Sequence, residues 1–410
     1  MSHAARHGLF SVTGVELEYM VVDRDTLRVR PIVDRLFEAV AGRITSDVER
    51  GDIDWSNELV AHVVELKTAR PTRDLGGWGP RFHAEIVAID ETLAGMNACL
   101  LPTAAHPFMD PFTETTLWPH EYSEVYALYN RIFDCRGHGW SNLQSMHLNL
   151  PFADDDEFGR LHAAIRPLLP LIPALTASSP LLDGTVTGWL DSRMDAYLRH
   201  QERLPPLMGA LIPEAVFDEA TYTREIFDPI MAALAPFDTG AVMDRYFANS
   251  RGAIARFDRG AVEIRVIDLQ ECPSMDLAVA ELVVTTIRAL VEGRWSDPAD
   301  SRALDARELL AVLRDVIRTA GATLVTHAGL LAVFGLDDAP RTAGAVWSAV
   351  YERLADDLSA PARAGVERLL DRGCLAERIL RRTGAAPSHD RIVEVYGELA
   401  VCLRDDTALA

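Results

Sequence analysis

The run Gly14-Val15-Glu16-Leu17-Glu18-Tyr19-Met20-Val21-Val22-Asp23 limits the fold more than any other stretch, because two carboxylates alternate with apolar residues inside a strongly β-forming segment. Side chains on a strand alternate between faces, so Glu16 and Glu18 share one face while Val15, Leu17 and Tyr19 occupy the other. One face of this strand belongs on a core. The other must be solvated, paired or metal-bound, since close like charges destabilise each other and burial strips their water. Two readings stand: a solvated acidic face, or one wall of a site that other residues complete.

Three later segments carry polar residues in the same way. In Asp52 to Thr68 a β-rich run is bracketed by Glu58 and Glu65, and Pro71 ends it. An odd separation puts two side chains on opposite faces of one strand, so a site using both glutamates requires the chain to bend or bulge between them. The glycine turn Arg136 to Gly139 leads into a strand whose one face carries His147 and Asn149 and whose other carries Met146, Leu148 and Leu150. In Gly260 to Asp268, alternation groups Glu263, Arg265 and Ile267 against Val262, Ile264 and Val266. Arg193, in a short segment ahead of the Pro-rich loop at 204–213, reads on its own as a surface ion-pair residue.

Between these motifs the periodicity predicts helices over 33–41, 81–98, 121–133, 155–165 and 168–177. From Met275 onward the pattern stays helical, with five amphipathic stretches and no chemical cluster. The expected division is a strand-rich α+β core over 1–296 and a helical C-terminal region over 297–410 packed on it.

Composition narrows the function classes. A net charge of -21 disfavours nucleic acid and anionic membrane as partners. Five scattered cysteines without a Cys-x-x-Cys pair exclude a disulfide framework and a cysteine-ligated zinc site. No apolar run is long enough to span a membrane and no secretory leader is apparent, so the expected location is cytoplasmic. Lys67 is the sole lysine, and no Walker-type phosphate loop surrounds it. The remaining polar interruptions of strand-like runs form an oxygen-rich set with one histidine, which suits a hard divalent ion such as magnesium.

Six motifs in order resemble the glutamate-cysteine ligase family in the broad sense that includes bacterial carboxylate-amine ligases, relatives of glutamine synthetase. They are Gly-x-Glu-x-Glu-Tyr at 14–19, Glu58 with Glu65 and the following Leu-Lys-Thr-Ala-Arg-Pro, Ser-Met-His-Leu-Asn-Leu at 145–150, Ala-Ser-Ser-Pro at 177–180, Ser-Arg-Met at 192–194, and Val-Glu-Ile-Arg-Val-Ile-Asp at 262–268. The resemblance implies a curved, largely antiparallel sheet forming an active-site funnel flanked by helices. It implies an ATP-dependent ligase acting through an acyl phosphate, γ-glutamyl phosphate for a glutamate substrate, which an amine such as cysteine attacks. It further implies two or three Mg2+ ions, with Glu16, Glu58 and Glu65 around one and Glu18, His147 and Glu263 around another. Arg265 and Arg193 would hold the activated carboxylate and its phosphoryl group, and Arg265 and Asn149 would face the nucleotide. Asn149 stands where the carboxylate-amine branch usually carries a second histidine. Open alternatives are the same chemistry on another amine or carboxylate, a metal-dependent amide hydrolase, and a non-catalytic regulator. Oligomeric state is left open.

Overall fold

The computed structural model describes residues 6–410. Its main sheet has eight strands: β1 (Gly14–Asp23), β2 (Asp47–Val48), β3 (Ile53–Asn57), β4 (Val63–Thr68), β5 (Ala98–Leu101), β6 (Ser145–Pro151), β7 (Ala253–Arg256) and β8 (Ala261–Asp268). The order is β2-β3-β4-β1-β6-β8-β7, with β5 also on β1, and every pairing is antiparallel. The edge of β1 is shared: β6 pairs with Gly14–Leu17 and β5 with Met20–Asp23, so the sheet forks at Glu18 and Tyr19.

The odd-numbered face of β1 is core. Val15, Leu17, Tyr19 and Val21 are buried in one apolar cluster with residues of α1 (Val33–Ala41), α2 (Gly79–Ala94), α3 (Asp155–Leu168) and, beyond the short α4 (Ser192–Tyr197), α5 (Pro273–Val291). The other face changes character along its length. Past Glu16 and Glu18, Met20 and Val22 belong to a second apolar cluster. There they meet residues of two C-terminal helices.

Five longer helices form the C-terminal part: α6 (Ala306–Thr319), α7 (Ala343–Leu354), α8 (Ala360–Arg372), α9 (Leu375–Thr383) and α10 (His389–Asp405). α8 lies along α5, and α9 and α10 supply Leu375, Ile379, Ile392 and Tyr396 to the cluster over Met20 and Val22. A fully buried pair, Arg378 with Glu271, ties α9 to the segment that follows β8. None of the described helices is long and apolar enough to cross a membrane.

Three local expectations are corrected. The helix expected over 81–98 ends at Ala94, and Ala98–Leu101 becomes β5. Four consecutive apolar residues have no period that separates strand from helix, whereas the intervening Asn97, at φ 52°, breaks the helix. The helix expected over 168–177 shrinks to Pro173–Thr176, because α3 runs on to Leu168 and Pro173 can only begin a new helix. In β8 the register with β6 shifts between Ile264 and Ile267. That bulge puts Ile267 on the core side with Ile264, not with Glu263 and Arg265, and returns Asp268 to the polar face.

Candidate functional site

The polar face of the sheet floors a cavity of about 650 Å³. Register places its charges in direct opposition: Glu18 faces Glu65 across β1 and β4, Glu16 faces Lys67 on that side and His147 on the other, and Glu263 faces Asn149. Glu58 reaches the cavity too. The chain neither runs straight nor bulges between Glu58 and Glu65; β3 ends at Asn57 and β4 begins at Val63, so the segment is a hairpin with Glu58 at the start of its turn. Burial holds His62, in that turn, neutral with its pKa pushed down to about 4, and its Nε2–H donates to the Ser141 carbonyl at 2.8 Å.

Hydrogen bonds fix the carboxylates. At the fork, Glu18 Oε2 accepts from the Ser145 amide at 2.6 Å and its hydroxyl at 3.0 Å, capping the start of β6. His147 Nδ1 lies 3.0 Å from Glu16 Oε2, and Nε2 lies 3.7 Å from Glu18 Oε1. Asn149 Nδ2 donates to Glu16 Oε1 at 3.0 Å. Ser56 Oγ donates to Glu65 Oε1 at 2.6 Å, and Arg265 Nε donates to Glu263 Oε1 at 2.6 Å.

The charges are unequally satisfied. Burial raises Glu58 well above the carboxylate range, and the facing charges of Glu18 and Glu65 raise it further. Burial and the Glu16 charge push Glu65 up to about 7 despite Lys67 and Ser56. Burial opposes charge on His147, yet Glu18 and Glu16 outweigh it and raise His147 to about 9. The same burial acts on Glu16, where the His147 hydrogen bond and the charges of His147, Lys67 and Arg265 prevail and hold it down to about 2. An acidic surplus of this kind draws either protons or a cation.

Potential ligand atoms fall into two groups, Glu16 with His147 and Glu263, and Glu18 with Glu65 and His147, each within 4.8 Å of one another. These donor sets fit a hard divalent cation. The division differs from the one the family resemblance implied, because the register sets Glu16 against His147 and Glu18 against Glu65. Glu58 is in neither group.

Two arginines border the acidic patch. Arg265 lines the cavity beside Glu263, while Arg193, on α4, is almost wholly buried and not the surface residue its local sequence suggests. Arg193 Nε donates to Asp268 Oδ1 at 2.5 Å and Nη1 to the Arg265 carbonyl at 3.3 Å. Its Nη2 also is buried and has no partner among the described residues. Asp268 additionally accepts from the Ser178 amide at 2.8 Å and Ser179 Oγ at 3.2 Å, so the Ala-Ser-Ser-Pro motif serves to orient this carboxylate.

Several lining residues carried no sequence signal. Tyr129, Trp140, Tyr197, His200 and Phe247 build an aromatic wall near Arg265, with ring centroids 5.1 Å apart for Tyr129 and Trp140 and 4.2 Å for Tyr197 and His200. They come from helices and loops whose aromatic residues read as core. Arg256, on β7, stands 3.7 Å from Glu263 Oε2 and was masked by the alternation of an ordinary edge strand.

The sequence model of glutamate-cysteine ligase family 2 matches residues 12–396. An uncharacterised protein of Archaeoglobus fulgidus is 34% identical over 281 residues, 68% of this chain and 74% of that one. A protein of Salinispora tropica named as a putative glutamate–cysteine ligase 2 is 29% identical over 390 residues, 94% of this chain and 90% of its own. Among solved structures, the glutamate–cysteine ligase of Francisella tularensis in complex with AMP shares the fold at a TM-score of 0.61 and 12% identity, covering 98% of this chain and 90% of that chain. The chain belongs to glutamate-cysteine ligase family 2, and it is an enzyme of the ligase class.

Proposed function

We propose that the chain joins the γ-carboxylate of glutamate to the amine of cysteine at the expense of ATP, through an acyl phosphate. The observation that carries this reading is the acidic strand face bordered by two arginines, Arg265 and Arg193, in a member of a ligase family. The carboxylate oxygen attacks the γ-phosphorus, ADP leaves, the amine attacks the acyl carbon, and phosphate leaves as the amide forms and the amine proton passes to solvent. Such a reaction needs in-line positioning and neutralisation of oxyanion charge, not a protein nucleophile.

Glu16, Glu18, Glu58, Glu65, His147 and Glu263 would hold two or three Mg2+ ions, which would supply neutralisation of phosphoryl charge. Arg193, held in place by Asp268 at the edge of the cavity, would add positive charge toward an anionic group there. Arg265, steadied by Glu263, presents the rest of its planar fork to carboxylate or phosphate. Asn149 keeps Glu16 oriented while lining the cavity toward the nucleotide. Residues 1–296 carry this chemistry, and 297–410 buttress it through α9 and α10.

A second reading keeps the chemistry and changes the amine. The aromatic wall beside Arg265 offers more flat apolar surface than a thiol side chain covers, which favours a bulkier acceptor. Incubation with ATP, Mg2+, glutamate and a panel of amines, read by phosphate release and the mass of the amide, tests both. Phosphate release dependent on cysteine supports the first reading, and dependence on another amine the second. Amide hydrolysis without ATP would overturn both.

A further inference from the structure

We propose that Lys67 is a nucleotide-binding residue that contacts the polyphosphate of ATP on the β4 wall of the cavity, an assignment that rests on the ATP-dependent reading above.

The first observation is compositional. Lys67 is the one lysine among 40 Lys and Arg residues, and it lines the cavity. A chain that uses arginine at every other cationic position has the lysine at a place where a compact ammonium on a flexible stem replaces a planar fork. Phosphate oxygens are bound well by such a point charge.

The second observation is geometric. The Lys67 ammonium lies 3.5 Å from Glu65 Oε1 and donates to Asp47 Oδ1 at 3.3 Å. It has three donors, and this is its one side-chain hydrogen bond among the described residues. Its side chain remains 34% exposed, so the spare donors are open to a ligand. The partner Asp47 is itself 51% exposed and holds it only from the rim.

The third is the floor beside it. Glu16, opposite Lys67, is followed one step along the same face of β1 by Gly14. Gly14 lines the cavity with bare backbone, and a Cβ there would crowd Asn149 Cβ at 3.1 Å. Across this floor the β7 wall carries Arg256. A glycine floor between cations on opposite walls, next to an acidic patch suited to divalent ions, matches the charge pattern of a metal-bound nucleoside triphosphate.

A single lysine makes the test selective. Amine-directed labelling with trinitrobenzenesulfonate modifies Lys67 and the α-amino group, and only the former stops trypsin from cutting within residues 51–73. In the full chain, ATP with Mg2+ at about ten times its dissociation constant should slow the labelling of Lys67 about tenfold relative to the free protein, by occupancy. Glutamate or Mg2+ alone should leave it unprotected. Lys67→Met should raise the half-saturating ATP concentration by about tenfold in equilibrium binding, and Lys67→Arg should recover most of it. Circular dichroism melts check that both variants fold. Labelling undiminished by ATP while equilibrium binding shows the nucleotide bound, or nucleotide affinity unchanged in Lys67→Met, overturns the assignment of Lys67 alone. Absence of any ATP binding sinks the ligase reading as well, which keeps the two failures distinct.

Discussion

Asp268→Ala should both destabilise the protein and remove its activity, because Asp268 is the wholly buried anchor of Arg193. The substitution strands a guanidinium that is 2% exposed and also frees the Ser178 amide and the Ser179 hydroxyl. Breaking one side of a buried ion pair costs about 3–5 kcal/mol. Arg193→Met should cost a similar amount by leaving the carboxylate alone. The double variant Arg193→Met with Asp268→Leu removes both charges together, so it should be more stable than either single variant and fall short of the parent by about 1–3 kcal/mol, the cost of the freed Ser178 amide. Turnover should not return, because the positive charge that Arg193 brings to the edge of the cavity is gone. Urea denaturation gives the stabilities, and ATP-dependent phosphate release gives the activity. An Asp268→Ala protein as stable as the parent would refute the energetic argument; an active double variant would remove Arg193 from the site.

Glu263→Ala and Arg265→Ala should each lower ligation by about a hundredfold or more, with circular dichroism unchanged, since each removes charge from the reacting region; near-parental rates in either would show that the site lies elsewhere. Gly14→Val should fill the bare floor against Asn149 and weaken nucleotide binding in equilibrium titrations, whereas unchanged affinity would mean that the ligand passes elsewhere. In metal-free buffer the melting temperature should fall as pH rises from 7 to 9, where the buried histidines that folding holds neutral, such as His62, no longer contribute a slope. The folded state holds protons on Glu65, raised from 4.5 to about 7, and on His147, raised from 6.5 to about 9, so the stability they lend is present at low pH and is lost as pH climbs through those values. Added Mg2+ should flatten the slope by replacing those protons, and a metal-insensitive profile would count against a cation on these residues.

What the sequence discloses here is the chemistry of each strand face, because a period of two survives without knowledge of neighbours. Glu16 with Glu18, and His147 with Asn149, stand as their alternation predicts. The Glu58–Glu65 hairpin was hidden because Glu58-Leu-Val-Ala-His62 has no glycine or proline. Its turn is held from a distance, by Ala61 donating to the Thr116 carbonyl and His62 to that of Ser141. Arg193 looks like a surface residue because its partner lies 75 positions away, on a carboxylate that reaches the right face only through a bulge. These failures share one cause. Faces are local, but opposition is not: whether Glu18 meets Glu65 or Glu58, and whether His147 bridges both acidic pairs, depends on how β4 and β6 slide along β1. A two-residue slip would leave every side chain on its proper face and bring different charges together. The buried apolar set on the opposite face fixes the register, so the core of Val15, Leu17, Leu66 and Leu148 determines which charges the cavity sees.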